Sequence, residues 1–147
     1  MTLNIVTGGP IPGVLMGIDK NNSTLVADAK KTTAVVGWVV RPGYPGTVLD
    51  NNALVIDIAA SGVVRAQVTL TGGWQTSSSL WAQLVRNGTE VASAEFAQGQ
   101  AVGTIAQQTI TVAPGDRLAL NMVNSHFLYA ATVQSGPGTY LVFEPAS

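Results

Sequence analysis

The side chains that could carry acid–base, nucleophilic or metal chemistry are few in this sequence and widely spaced. His126 is the only histidine and cysteine is absent, so neither a histidine shell for zinc nor a thiolate nucleophile can form. Catalysis by paired carboxylates needs two acids about 5–10 Å apart, and nothing in the sequence shows such a convergence. We therefore expect no enzymatic activity, no metal and no other cofactor. The acidic residues considered are Asp50, Asp57, Glu90, Glu95 and Asp116.

The segment DKNNST, residues 19–24, resembles the start of a calcium-binding loop because oxygen-bearing side chains alternate along it. An EF-hand loop also needs Gly at its sixth position and Glu at its twelfth. Those two positions hold Thr24 and Lys30. The segment is therefore predicted to be a polar turn and not a metal site.

The three tryptophans are the residues best suited to stacking on a sugar ring. Trp38 lies in a run of strand formers and is expected in the core, whereas Trp74, in TGGWQTSSS, is expected in a loop with its ring exposed. Two interpretations of Trp74 stay open: contact with a ligand, and packing within its loop or against another subunit. The first interpretation suits a carbohydrate-binding module that recognises the envelope of a host cell.

The composition predicts a single globular domain without helices. The chain has 147 residues, of which 46% are hydrophobic and 10% charged, and its net charge is −1. A protein without a basic surface is a poor partner for nucleic acid. No basic region opens the chain and no apolar run reaches about 18 residues, so neither a signal peptide nor a membrane insertion is expected. Glycine is plentiful while strong helix formers are scarce, which favours strands.

From Thr33 onward the sequence alternates between short strands and turn residues, at a spacing typical of an antiparallel sandwich or barrel. The clearest signal is LVRNGTEVAS, where Asn87-Gly88 predicts a two-residue type I′ turn that places Leu84 opposite Val91. The strands are predicted at residues 34–40, 47–49, 53–58, 62–71, 80–86, 89–96, 103–112, 117–123 and 138–144.

The order of these pieces resembles the small jelly-roll modules of virion proteins from bacteriophages of actinobacteria, found in minor tail and head-decoration proteins. It is also similar to the jelly roll of the tumour-necrosis-factor and complement type. The resemblance covers roughly residues 33–145, and its most specific parts are NGTEVA and VAPGDRLAL. It implies a structural role in a virion, and a trimer whose last strand runs near the axis.

The last predicted strand, GTYLVFE, is apolar on both faces, which is typical of a strand that is buried on both sides. Tyr140 and Val142 share one face, and Leu141 and Phe143 share the other. Since one face suffices to fill a sandwich, we expect the second to be covered by a copy of the same chain. The pattern does not choose between the two pairs, so all four residues are candidates for the oligomer interface.

Residues 1–32 are predicted to form an extended N-terminal arm, because glycine and proline interrupt its apolar residues and break both strand and helix periods. Residues 33–147 are then the jelly-roll domain. An apolar arm is expected to lie on another surface, its own subunit's, a neighbour's, or the phage capsid or tail proteins to which it attaches. The arm residues assigned to attachment are Leu3, Ile5, Val6, Ile11, Val14, Leu15 and Met16.

These inferences converge on an all-β antiparallel jelly-roll sandwich that is not an enzyme. The expected function is that of a homo-oligomeric structural protein, a homotrimer, on the capsid or tail surface of a phage particle. It would be made in the host cytoplasm, and a host surface glycan is a further expected partner under the carbohydrate-binding alternative.

Overall fold

The computed structural model describes residues 14–146, and over that range the chain is built from antiparallel β-strands with no helix. The predicted all-β antiparallel class is confirmed. The thirteen strands of the described range are β1 (Met16–Lys20), β2 (Leu25–Ala27), β3 (Lys31–Ala34), β4 (Trp38–Val40), β5 (Leu49–Asp50), β6 (Ala53–Val55), β7 (Ala60–Thr69), β8 (Leu80–Arg86), β9 (Thr89–Glu95), β10 (Val102–Val112), β11 (Arg117–Asn124), β12 (Ala131–Val133) and β13 (Tyr140–Pro145).

Two sheets pack face to face. One has five strands in the order β10-β7-β13-β1-β4, and the other runs β5-β6-β11-β8-β9 with β3 also paired to β11. The short strands β2 and β12 pair with each other at one end. Apart from the paired neighbours β5–β6 and β8–β9, consecutive strands lie in different sheets, and β13, the last strand of the described range, occupies the centre of the five-stranded sheet.

The core lies between the sheets and follows the two-residue period of the strands. On β7 the side chains of Val64, Ala66 and Val68 are buried, while those between them face outward and are half-buried. Strand β11 alternates in the same way, with Leu118, Leu120 and Met122 inside. Because alternate side chains of a strand point to opposite faces, this pattern sets which side of each sheet meets the core.

The hairpin between β8 and β9 turns at Asn87 and Gly88, as predicted. Both residues have positive φ, 52° and 83°, and Arg86 pairs with Thr89 across the turn. The predicted partner of Leu84 was wrong: it pairs with Ala92 and not with Val91, because a β-bulge falls between Leu84 and Val85. A bulge places an extra residue on one strand, which the alternation of the sequence does not reveal.

The turn geometry gives a first testable prediction. Gly88→Val should lower the free energy of unfolding by about 1–3 kcal/mol, because a β-branched residue is strained at positive φ. A Cβ at Gly88 would meet nothing within 4 Å, so the loss isolates backbone strain from any clash. Chemical denaturation measures it. Gly88→Asn is the matched control and should cost less, since Asn accepts this conformation more readily. Equal stability of all three proteins would contradict the turn.

The two segments that are most specific in the sequence, NGTEVA and VAPGDRLAL, meet in the structure. The Asn87 side chain donates from Nδ2 to Asp116 Oδ1 at 3.0 Å and accepts at Oδ1 from the Arg117 amide at 2.9 Å. The Ala113 amide donates to the other oxygen of Asp116 at 3.0 Å, and this bond is the main cause that lowers the pKa of Asp116. Both segments therefore serve architecture, since they tie together two neighbouring turns.

The predicted boundary at Thr33 differs from the structure. Strand β1 lies between β13 and β4, with Met16 opposite Phe143 and Ile18 opposite Val40. Met16 and Ile18 are 1% and 0% exposed, so Met16 belongs to the core and not to an attachment arm. The sequence hid this strand because it is five residues long, contains Gly17, and follows a stretch rich in glycine and proline.

The remaining arm predictions fall partly outside the described residues. Val14 and Leu15 are half-buried beside the loop that follows β4, where the Gly46 amide donates to the Leu15 carbonyl at 3.0 Å. The other four assigned attachment residues precede Val14 in the sequence. The assigned residues that lie outside the described range are Leu3, Ile5, Val6 and Ile11.

The predicted strand over residues 34–40 is also divided. Its first part pairs with β11 as the end of β3, and its second part is β4, at the edge of the other sheet. Gly37 has a φ of 81° between them, which lets the chain cross from one sheet to the other. A local pattern of strand formers does not show this change of partner.

Candidate interaction surfaces

The outer face of the five-stranded sheet is the surface that the last strand was predicted to use for self-association. In the structure Leu141 and Phe143 point inward and belong to the core, each 0% exposed. Tyr140 and Val142 therefore face outward, because alternate residues of a strand lie on opposite faces. Of the two pairs left open by the sequence, this one lies on the outer face.

At Val142 the outer face of β13 is covered by the chain itself. Val142 is 1% exposed, although it points away from the core. A Cβ at the neighbouring Gly17 would lie 3.0 Å from Tyr44 Cδ2, 3.2 Å from Val142 Cγ2 and 3.3 Å from Arg41 Cδ. The loop of residues 41–46, which follows β4, thus folds back over β1 and β13. The expectation that a copy of the same chain would cover this face is corrected at Val142, which the chain's own loop covers.

Four residues hold this loop in place, and we call them the Arg41 clasp: Asp19, Arg41, Tyr44 and Tyr140. The Arg41 guanidinium donates to Asp19 Oδ1 at 3.0 Å. Its central carbon lies 5.1 Å from the centre of the Tyr44 ring and 4.8 Å from that of Tyr140. A guanidinium within about 6 Å of an aromatic face is attracted by the ring quadrupole. The clasp joins β1, β13 and the loop.

The clasp holds a carboxylate in a place where ionisation is costly. The Asp19 side chain is 9% exposed, and burial raises the pKa of Asp19 above its ordinary value although Arg41 opposes the shift. Desolvation disfavours a charged carboxylate, whereas an adjacent cation favours it. The ion pair with Arg41 is therefore the main interaction that offsets the cost of desolvating the Asp19 carboxylate.

This arrangement predicts unequal effects of the two partners. Arg41→Met should destabilise the protein by about 1–3 kcal/mol, because it leaves a buried carboxylate without its partner. Asp19→Asn should cost less, since it removes the desolvated charge together with the ion pair. Thermal or chemical unfolding of the three proteins measures this. A larger loss in Asp19→Asn than in Arg41→Met would contradict the order.

The same pKa shift sets a direction for pH dependence. Since the pKa of Asp19 is higher in the folded state, the folded protein binds more protons than the unfolded chain between the two pKa values. The stability that Asp19 contributes through this shift is fully present below the pKa of the unfolded chain, about 3.9. It is lost as the pH rises through the pKa of Asp19 in the folded state. The Asp19→Asn variant should show a flatter stability curve over that window.

The rest of the outer face is mainly polar. Arg65 donates to Glu144 Oε2 at 2.6 Å, Gln67 donates to the Gly138 carbonyl at 3.0 Å, and Thr104 donates to Gln67 at 3.2 Å. At the β4 edge Val39 is 46% exposed. An interface here would combine two partly exposed aromatic side chains, Tyr44 and Tyr140, with polar groups and ion pairs.

Trp74 was expected to be exposed, and that prediction was wrong. It is 2% exposed and belongs to the core cluster. Its Nε1 donates to the Ser78 carbonyl at 2.9 Å, and its ring lies perpendicular to the His126 ring at a centroid distance of 6.1 Å. The loop around it is glycine- and serine-rich, yet the indole turns inward, because a large apolar ring gains from burial. The packing interpretation is the one that the geometry supports.

The exposed aromatic residues lie instead on the loop between β11 and β12. Residues 125–130 of this loop are called the aromatic tip. Phe127 is 71% exposed, Leu128 63% and Tyr129 39%. Sequence reasoning treated His126 alone in this segment and missed its neighbours, although the run HFLYA after a predicted strand was a visible signal.

His126 organises the aromatic tip. Its Nδ1 accepts hydrogen bonds from the amides of Leu128 and Tyr129, both at 3.0 Å. The rings of Phe127 and Tyr129 both stack on its imidazole with centroid distances of 4.8 Å. Beneath it the buried Asn124 donates to the Tyr129 carbonyl at 2.8 Å. The single histidine is thus a structural residue, and the apolar side chains around it are held in fixed positions.

Within residues 14–146 no cluster of three or more His, Cys, Asp or Glu residues is arranged to hold a metal ion. In the same part of the chain no helix could span a membrane. The absence of enzymatic activity and of a cofactor stays a prediction from the sequence.

Comparison with known proteins identifies the fold. No family model matches the sequence, and no curated protein matches it significantly. Among solved structures the chain is similar to Eiger TNF from S. frugiperda, with a TM-score of 0.68 and 11% identity over 93% of this chain and 95% of that one. It is also similar to rabbit GITRL, with a TM-score of 0.50 and 14% identity over 83% and 93% of the two chains. The fold is a TNF-like jelly roll.

Proposed function

We propose that this protein is a non-enzymatic structural component of a bacteriophage virion, located on the capsid or tail surface, and that it acts as a homotrimer. The TNF-like jelly roll with β13 at the centre of its five-stranded sheet is the observation that carries the proposal. The resemblance of the strand sequence to phage virion modules supports the virion location. The scarcity of reactive side chains supports a role by contact.

Self-association is proposed to use the outer face of the five-stranded sheet. Tyr140 lies near the centre of this face, opposite Asp19 on β1 and Gln67 on β7. The Arg41 clasp gives the face a rigid surface before any partner binds, which lowers the entropic cost of association. The proposed contact is therefore between folded subunits, each of which already covers its own Val142.

Light scattering of the purified protein tests this proposal. The protein should be trimeric at micromolar concentration, and Tyr140→Asp should yield folded monomer, because an interface would bring the new charges together without water. Gln67→Lys places a charge on the same face beside Tyr140 and should act in the same direction. Since Asp at position 140 also faces Asp19, the second variant keeps the test valid if the first is unstable.

The matched control is Ser93→Asp, which adds a charge to an exposed residue of β9 in the other sheet. It should remain trimeric. A monomeric unmodified protein, or a Gln67→Lys variant that stays trimeric while folded, would refute self-association through this face.

Attachment to the particle is proposed to use the first thirteen residues, including Leu3, Ile5, Val6 and Ile11. A chain that starts at Val14 retains all thirteen described strands, so it should fold but fail to bind particles that lack the protein. Electron microscopy of antibody-labelled virions locates the full chain on head or tail. Labelling on neither would overturn the virion role, and equal binding by the shortened chain would overturn the role of these residues.

A further inference from the structure

A cleft beside the aromatic tip has the features of a small-ligand site. Its volume is about 160 Å³, and it lies between the loop that follows β7 and the start of β12. Among residues 14–146 no charged side chain lines it. The lining residues that matter here are Thr71, Gly72, Trp74, Gln75, Ala130 and Thr132.

The cleft and the aromatic tip form one continuous region. Trp74 lines the cleft and also contacts His126, which carries the stacked rings of Phe127 and Tyr129. Ala130, on the cleft wall, directly follows Tyr129 in the chain. A ligand seated in the cleft can therefore extend toward the Tyr129 ring, which is partly exposed and stacked on His126.

The surrounding backbone is held in a costly conformation. Ser78 and Ser79 have φ values of 61° and 73°, a backbone region that non-glycine residues occupy only at an energetic cost. Both carbonyls accept hydrogen bonds. The Ser78 carbonyl accepts from Trp74 Nε1 at 2.9 Å, and the Ser79 carbonyl accepts from the Ser125 amide at 2.8 Å. This strained turn fixes the indole and the base of the aromatic tip, and strain of this kind clusters at binding sites.

The chemistry of the region suits a neutral sugar. Thr71, Gln75 and Thr132, whose side chains carry hydroxyl or amide groups, are among the residues that line the cleft. Its volume is smaller than that of pockets for drug-sized ligands and comparable to that of one pyranose ring. Tyr129, which precedes the lining residue Ala130 in the chain, presents a ring on which the apolar face of a sugar can stack. The absence of charge in the lining disfavours phosphate or other anionic ligands, which need cationic partners.

We propose that this cleft binds one ring of a neutral saccharide, and that the exposed face of Tyr129 stacks on the adjoining sugar ring of the same saccharide. The site goes beyond the structural role, because it gives the protein a ligand of its own. It differs from the stacking site predicted at Trp74, whose ring forms a buried wall of the cleft.

Saturation-transfer NMR of the full chain tests the proposal, with glucose, galactose, mannose, N-acetylglucosamine, lactose, maltose and chitobiose as probes. At least one sugar should receive transfer. Gly72→Phe should strongly reduce it, because it places a ring on the lining of the cleft; a Cβ at Gly72 meets nothing within 4 Å, so the side chain enters without a clash at its Cβ. Tyr129→Ala should weaken the transfer to a disaccharide more than that to its monosaccharide.

Two controls separate this site from other uses of the same surface. Ala113→Phe adds the same ring to an exposed turn at the opposite end of β11 and should leave the transfer unchanged. Leu128→Ser should also leave it unchanged, because Leu128 offers no ring face. Absence of transfer from every sugar, or unchanged transfer in Gly72→Phe, overturns the proposal. If no sugar responds and vesicles of phosphatidylcholine and phosphatidylglycerol sediment the protein in a Leu128-dependent way, the tip contacts lipid instead.

Discussion

A chain that starts at Thr33 should fail to fold. It lacks β1, which pairs with β13 on one side and β4 on the other, so its removal splits the five-stranded sheet. It also removes Met16 and Ile18 from the core, each of which contributes about 1.5–3 kcal/mol by burial. The loss of these two buried side chains, together with the pairing of β1 to β13 and to β4, is comparable to the whole stability of a domain, about 5–15 kcal/mol. Near-ultraviolet circular dichroism and limited proteolysis measure the outcome.

The matched control starts at Val14 and keeps every strand of the described range. It should give the same unfolding midpoint as the full chain, within error. A cooperative unfolding transition in the chain that starts at Thr33 would mean that β1 is dispensable, and the assignment of residues 16–32 to the sandwich would be wrong.

The second large effect is expected at the centre of the core. Phe143→Asp should unfold the protein, because the Phe143 side chain is 0% exposed and an ionised carboxylate there would have neither water nor a partner. Loss of the ring alone costs about 3–5 kcal/mol. The ring also fits closely over Gly62, where a Cβ would lie 2.7 Å from Phe143 Cζ. Circular dichroism and the yield of soluble protein measure the loss.

Phe143→Leu is the control, since it keeps an apolar side chain and should give a folded protein of reduced stability. Tyr140→Asp changes the opposite face of the same strand and should also remain folded. A folded Phe143→Asp protein, with Tyr140→Asp unfolded, would mean that the two faces of β13 are assigned the wrong way round.

The fold class was accessible from sequence because it depends on local signals. The alternation of Val64, Ala66 and Val68 and the turn at Asn87-Gly88 are set by the two-residue strand period and by the need for positive φ. The bulge beside Leu84 and the crossing at Gly37 were not accessible, since each depends on which strand is the neighbour. Likewise β1 has no strong strand pattern in its own sequence. It forms a strand because it pairs with β13 and β4 on either side.

The same distinction between local signals and tertiary neighbours applies to the candidate interaction surfaces. The sequence by itself determined that Tyr140 and Val142 lie opposite Leu141 and Phe143, because that follows from strand geometry alone. Only the tertiary structure decided that Val142 is covered by the loop carrying Arg41 and Tyr44, a segment about a hundred residues earlier in the chain. It also decided that Trp74 is inside while Phe127 is outside. The physical reason is that burial depends on what folds over a side chain, and contacts between distant segments leave no period in the sequence.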